Sequence, residues 1–209
     1  MTKISAGRPT KTQAEARHAE MLDAALGMFL DKGYELTTIE ALAAQLGMTK
    51  RTVYARYVDK AALFRAAVDR AIQRYVVPIE SVLASESDDL QETLIRVAHI
   101  RIANLMTPEG LRLQRVLNAE AYRFPDIFDR FFAQAAKPTV DYLADLFERQ
   151  SALGEIVTDN RARAAIAFMS MVVGAPARSL VAGGHIAPAE LDERIRFSVR
   201  LFLNGVRPR

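Results

Sequence analysis

Cysteine is absent from all 209 residues, which excludes disulfides and thiolate chemistry. Histidine is nearly as scarce. His18, His99 and His185 lie far apart, and no His-Glu-x-x-His, Gly-x-Ser-x-Gly or phosphate-loop pattern accompanies them, nor any carboxylate cluster at metal-ligand spacing. Enzymatic function is therefore not expected, and neither is a cofactor or a metal. Glycine and proline are few, at 10 and 8, and no segment alternates apolar and polar residues as a strand would. With many Ala, Leu, Arg and Glu, the chain is expected to be all-α. The longest nearly apolar stretch, residues 164–177, is shorter than the ~20 residues a membrane span needs and is expected as a buried helix. The N-terminus carries polar and charged residues where a signal peptide would be apolar, so a cytoplasmic protein without a membrane partner is expected.

An apolar content of 50% is enough for a proper core in one or two domains. The net charge of +3 is unevenly placed: residues 1–74 hold 12 Lys/Arg against 8 Asp/Glu, and the remainder holds 16 against 17. Basic charge supplies sequence-independent affinity for phosphates through counterion release. The excess coincides with residues 37–60, TTIEALAAQLGMTKRTVYARYVDK, which read as two short helices joined by a tight turn, with a third starting behind them. Thr37 and Glu40 have capping-box spacing, and Ile39, Leu42, Ala43 and Leu46 form one apolar stripe that Gly47 terminates. Thr49 is an N-cap for the second helix. Its inward face offers Val53 and Tyr57 and leaves Lys50, Arg51, Thr52, Tyr54 and Arg56 outward, the residue types that contact DNA from the major groove.

Ahead of this motif, the stripe Leu22, Ala25, Leu26 and Phe29 predicts a supporting helix over residues 13–32 that Gly33 closes. Residues 1–12 lack periodicity but contain Gly7-Arg8-Pro9, which fits either a plain tail or a short arm that lays Arg8 into a minor groove. Behind the motif, Asp59 caps a helix running toward Pro78, and a series of further helices follows. These cover about residues 90–106, a segment from Pro108 to near Phe124-Pro125, residues 126–150 with an interruption or restart at Pro138, and about residues 159–181 and 188–206. In the last helix Ile195, Val199, Phe202, Leu203 and Val206 share one face, and Phe197 and Leu201 lie on another. That pattern fits packing on its own subunit and on a second copy, in a four-helix interface.

Residues 13–64 resemble the N-terminal signature of the tetracycline-repressor (TetR) family of bacterial transcriptional regulators. The resemblance rests on Ala24-Ala25-Leu26-x-x-Phe29-x-x-x-Gly33-Tyr34, Thr37-Thr38-Ile39, Ala43, Gly47-Met48-Thr49, Val53-Tyr54 and Lys60-x-x-Leu63-Phe64. Glu120-Ala121-x-x-Phe124-Pro125 and the Gly154-Glu155 turn are similar to one broad subgroup. Tyr57 and Arg56 depart from the usual pattern, which has Phe at the first position and often His or Tyr at the second. The resemblance implies three segments: an arm over 1–12, a helix-turn-helix domain over 13–60 and a helical effector-binding and dimerisation domain over 61–209. It further implies a homodimer that binds a palindromic double-stranded DNA operator and is released when a small-molecule effector changes the separation of its recognition helices. The helix from Asp59 would be the lever.

By the same resemblance, Lys50, Arg51, Thr52 and Tyr54 are expected on bases, and Thr38, Thr49, Arg56 and Lys60 on phosphates, with Arg8 as the arm's contact. For the effector, His99, Arg101, Asn118, Glu120, Phe128, Phe132 and Met169 are the expected pocket residues, each with an ordinary core or hydrogen-bonding role as the alternative. The aromatic content favours an apolar or aromatic effector. A protein that keeps this fold but acts through its C-terminal surface, without operator recognition, is the alternative from another class.

Overall fold

The structure, a computed structural model, describes residues 10–208. Its helices fall into two compact units divided between Ala71 and Ile72. The first unit holds α1 (Lys11–Leu36), α2 (Ile39–Gln45), α3 (Lys50–Tyr54) and most of α4 (Lys60–Tyr75). The second holds α5 (Ile79–Leu83), α6 (Leu90–Leu105), α7 (Pro108–Glu120), α8 (Pro125–Phe131), α9 (Lys137–Ala152), α10 (Arg161–Met169), α11 (Ala175–Val181) and α12 (Pro188–Val206). Among the described residues there is no strand.

The first unit is set by caps. Thr10 and Gln13 form a reciprocal capping box, so α1 starts two residues before the expected Gln13. Gly33 then turns the chain at φ 77°, in the left-handed region. The expected capping box at Thr37 is corrected by one residue. Thr38 caps α2, accepting from the Ala41 amide at 3.1 Å. The buried Thr37 hydroxyl instead turns back to the carbonyl oxygens of Gly33 (2.8 Å) and Met28 (3.1 Å). Asp59 caps α4 through the Ala62 amide at 2.7 Å. Leu22, Ala25 and Phe29 of α1, Ile39 and Leu42 of α2, Val53 of α3 and Leu63 and Phe64 of α4 are buried in this unit. At its centre Phe64 meets Phe29 and Tyr34 edge to face, with ring centroids 4.9 and 5.3 Å apart.

The second unit is organised around α6, α9, α10 and α12. Phe202 stacks on Phe147 at 5.3 Å and meets Phe168 edge-on at 5.2 Å, so three helices share one aromatic cluster. Pro138 stands in the first turn of α9, where a restart would place it, and the helical backbone is nonetheless continuous through it. A π-helical turn over Phe132–Ala136 joins α8 to α9, and the Lys137 amide bonds the Phe132 carbonyl five residues back. The wide turn makes room for a ring that would otherwise strike the carbonyl four residues before it. Pro176 repeats the arrangement: a π turn over Ser170–Gly174 joins α10 to α11, closed by the Ala175 amide on the Ser170 carbonyl. The run Arg161–Val181 is thereby one helical stretch of 21 residues, longer than the apolar stretch suggests. By length and composition alone it could cross a bilayer. Its Ala165, Phe168, Val172 and Leu180 are part of the second unit's core.

Candidate nucleic-acid interface and ligand cavity

Helix α3 is one and a half turns long, too short to be stable alone, and three features hold it. Gly47, at φ 59°, makes the turn from α2. The Thr49 hydroxyl oxygen accepts from the Thr52 amide at 3.2 Å, and Val53 is fully buried. The opposite side of α3 therefore faces out by construction. Lys50, Arg51, Thr52 and Tyr54 are exposed on it, and Thr38, Thr49 and Arg56 are exposed around it.

Lys50 and Lys60 already have partners. The Lys50 ammonium pairs with Glu40, and that hydrogen bond holds the Glu40 carboxyl below its usual range. Lys60 has a role in the fold that the sequence did not show. Its ammonium donates to the Tyr34 and Glu35 carbonyls at 2.8 and 3.2 Å and lies 4.3 Å from the centre of the Tyr34 ring, closing the end of α1.

Two residues from α1 enter the site without having been expected there. Arg17 and His18 share a concave surface with Gly47, Met48, Thr49, Thr52 and Arg56. His18 Nε2 lies 2.5 Å from the Tyr57 hydroxyl, so Tyr57 packs with its polar end satisfied. Burial lowers the affinity of His18 for a proton, and the Arg56 and Arg70 charges act the same way. Arg70 is in turn held by a two-pronged bond to Asp23 at 2.9 and 3.1 Å. Nothing in the spacing of the α1 sequence marks Arg17, because the first buried residue of that helix is Met21, a turn later.

The second unit contains a cavity of about 290 Å³. Of the seven expected effector residues, Arg101, Phe128, Phe132 and Met169 line it, together with Tyr75, Phe131, Ala135, Val140 and Val173. The other three do not. His99 Nε2 bonds Asp192 Oδ1 at 2.9 Å and ties α6 to α12, where Asp192 also accepts from Arg196 at 2.8 Å. Arg196 first, and His99 after it, keep the Asp192 carboxyl below its ordinary range. Glu120 lies 3.7 Å from Arg123, and Asn118 is exposed. The cavity takes its α7 wall from the start of that helix, at Gly110, Leu113 and Gln114, and not from its end. Both π turns border it, through Phe132, Ala135 and Ala136 on one side of the sequence and Ser170, Val173 and Gly174 on the other.

Comparison with known proteins assigns both units. Residues 21–67 match the family described as bacterial regulatory proteins, tetR family. Residues 92–205, more than half of the chain, match the C-terminal domain of AefR-like transcriptional repressors. The HTH-type transcriptional regulator YvkB of Bacillus subtilis, itself uncharacterised, is 24% identical over 189 residues, which cover 89% of this chain and 95% of that protein. A structure described as a TetR-family transcriptional regulator from Mesorhizobium loti superposes with a TM-score of 0.76 at 29% identity, covering 96% of this chain and all of that one. The flavonoid-responsive regulator FrrA superposes with a TM-score of 0.71 at 25% identity, covering 93% and 99%. The chain, an all-α protein with an N-terminal helix-turn-helix DNA-binding domain and a C-terminal helical domain, belongs to the TetR family of bacterial transcriptional regulators.

Proposed function

We propose that the protein acts as a homodimeric repressor in the cytoplasm. It reads a palindromic operator with α3 and leaves it when a small molecule occupies the cavity of the second unit. The observation that carries the DNA half is the outward side of α3: four exposed side chains able to contact bases, on a helix fixed from behind by Val53 and at its start by Thr49. In this reading Lys50, Arg51, Thr52 and Tyr54 meet base edges, and Thr38, Thr49, Arg56 and Arg17 meet phosphates. Lys60 is given to the fold. The segments proposed over 1–12, 13–60 and 61–209 stand beside a structure in which α1 already starts at Lys11 and the compact units divide between Ala71 and Ile72, and Arg8, in the first segment, lies outside the described residues.

Dimerisation is supported by α10 and α12. Ile195, Val199, Phe202 and Leu203 are buried, whereas Phe197, Leu201 and Ile166 remain 58%, 53% and 45% exposed. A second copy packed on this surface would remove them from water. Half-sites on DNA must then match a protein spacing of about 34–36 Å, so a small change in that spacing is enough to release the operator. Repression, as the sign of the output, is supported by the AefR-like repressor match. FrrA's description as flavonoid-responsive supports an aromatic effector.

Selection of bound sequences from a random duplex pool at near-physiological salt tests this reading. Enrichment of a two-fold palindrome is the expected result. A folded dimer that enriches nothing would favour the alternative, an interaction protein acting through its C-terminal surface. On the selected site, Thr52→Ala or Tyr54→Ala should relax preference at particular base pairs, by about 1–3 kcal/mol for each base no longer read. Arg56→Ala should weaken all sequences alike and shallow the salt dependence by about one phosphate's worth. A uniform reduction from all three substitutions would overturn the division between bases and phosphates.

A further inference from the structure

The cavity's apolar wall leaves one side chain unexplained. Arg101 lines it, and the Arg101 Nε is sealed from solvent with no hydrogen-bond partner among the described residues. No carboxylate lines the cavity with it. Three other arginines of the same unit each meet a carboxylate, Arg96 with Glu92, Arg130 with Asp126, and Arg149 with Glu86, all at 3.1 Å or less. Burial pulls the Arg101 guanidinium below its usual range, with no neighbouring acid acting the other way. A desolvated charge without a partner lowers stability, so a chain that retains one in a cavity retains a binding group. Two of the other donors on the wall, which also include Tyr75 and Gln114, are already engaged. Asn104 Nδ2 donates to the Tyr75 carbonyl at 2.9 Å, and the Ser170 hydroxyl donates to the Ile166 carbonyl at 2.8 Å.

We propose that the cavity takes an amphipathic organic anion: an aromatic or otherwise apolar body carrying one carboxylate or sulfonate, with the anion on Arg101. This rests on the effector-site reading above and gives it a chemical class. The guanidinium fork matches the geometry of two anionic oxygens, and its strength rises where water is excluded. Phe128, Phe131 and Phe132 supply the apolar contact for the body, and a volume near 290 Å³ suits a ligand of two or three rings.

Two fluorescent probes test the proposal on the full chain. 1-Anilinonaphthalene-8-sulfonate and N-phenyl-1-naphthylamine share one apolar body, and only the first carries an anion. The chain has no tryptophan to compete with their emission. The expected result is that Arg101→Met weakens the sulfonate by about tenfold or more while the neutral amine stays within about twofold. Arg101→Gln gives the same readout should the methionine variant fail to fold, and Arg101→Lys should keep part of the preference. Because the buried Nε of this guanidinium has no partner among the described residues, Arg101→Met should also raise the melting temperature by about 2–4 °C, where removal of a structural arginine would lower it. Sulfonate affinity unchanged by both neutral substitutions overturns the proposal and leaves the cavity as an effector site. Failure of both probes to bind, or binding of both that survives the cavity-filling Ala135→Phe, overturns the effector-site reading itself.

Discussion

The two units bury aromatic cores of the same kind, and both cap helices on an amide three residues on, in the second through Asp89, Thr107 and Asn160; they differ in what lies between the caps. In the first, the groups that decide the shape are satisfied close to home: Thr10, Thr38, Thr49 and Asp59 each cap an amide three residues on. Even Lys60, charged and near the surface, is held by two carbonyls. In the second, two π turns interrupt the helical ladder, and on the wall of the cavity that both border the Arg101 Nε has no hydrogen-bond partner among the described residues. A surface that must meet DNA in one register gains from being over-determined. A cavity that is to close on a ligand needs groups whose bonds are still to be made, and in the proposed reading the protein carries that cost where a ligand would remove it.

The largest test of this contrast is to unfold one unit without the other. Phe64 is fully buried at the meeting point of Phe29 and Tyr34, and Phe64→Ala should cost about 3–5 kcal/mol. Denaturant unfolding should then resolve two transitions, with DNA binding abolished in the first and naphthalene probe binding retained until the second. Disappearance of both together would show that the units fold as one cooperative body, and the contrast between them would lose its meaning.

The next test concerns Lys60. The sequence places it among phosphate contacts, and the structure spends its ammonium on the end of α1. Lys60→Ala should lower the first unit's stability by about 1 kcal/mol, because it removes charge-assisted bonds to carbonyls and the cation's packing on the Tyr34 ring. The salt dependence of operator binding should be unchanged in the same variant. A dependence shallower by about one phosphate would return Lys60 to the DNA.

How much of this was legible in the sequence follows the same division. Local offsets fixed the first unit: Gly33 and Gly47 do turn the chain at positive φ, and Val53 is the inward residue of α3. The error at the first cap of α2 was a single residue. Thr37 has the right spacing to Glu40, but the Met28 and Gly33 carbonyls are in reach of its hydroxyl, a tertiary fact that spacing does not contain. The cavity was legible only in part. His99 and Arg101 are two residues apart on α6, so they point to nearly opposite sides of the helix, and both cannot face one cavity. His99 lies four residues after Ile95 and three before Ile102, a spacing that puts it on one stripe with them, yet that stripe leads toward α12 and Asp192. Which sector of a buried helix faces a neighbour and which faces a void depends on the packing of every helix around it. The π turns were illegible for a related reason: Pro138 and Pro176 require a local change, but whether the helix breaks or widens is decided by what its two ends pack against.

The smallest expected effect reaches back to DNA through His18. With Nε2 unprotonated, its ring accepts the Tyr57 hydroxyl proton, and a proton on that nitrogen would end the arrangement and add a third cation near Arg56 and Arg70. Burial, with those two arginines, therefore lowers the folded-state pKa of His18 below its unfolded value of 6.5. The unfolded chain then binds the proton first as pH falls. Stability from this site is complete above about pH 6.5 and declines as the pH drops toward the folded pKa. Thermal melts at about pH 8 and pH 5.5 should show the decline, and His18→Gln should reduce it. The sign reverses on the operator. A phosphate on Arg56 or Arg17 would favour the charged imidazole, so operator binding should take up a fraction of a proton below about pH 6.5, and affinity should rise there more in the parent chain than in His18→Gln. Equal pH dependence in the two proteins would mean that α1 stands apart from the phosphates, and the interface would shrink to α2, α3 and the residues just after it.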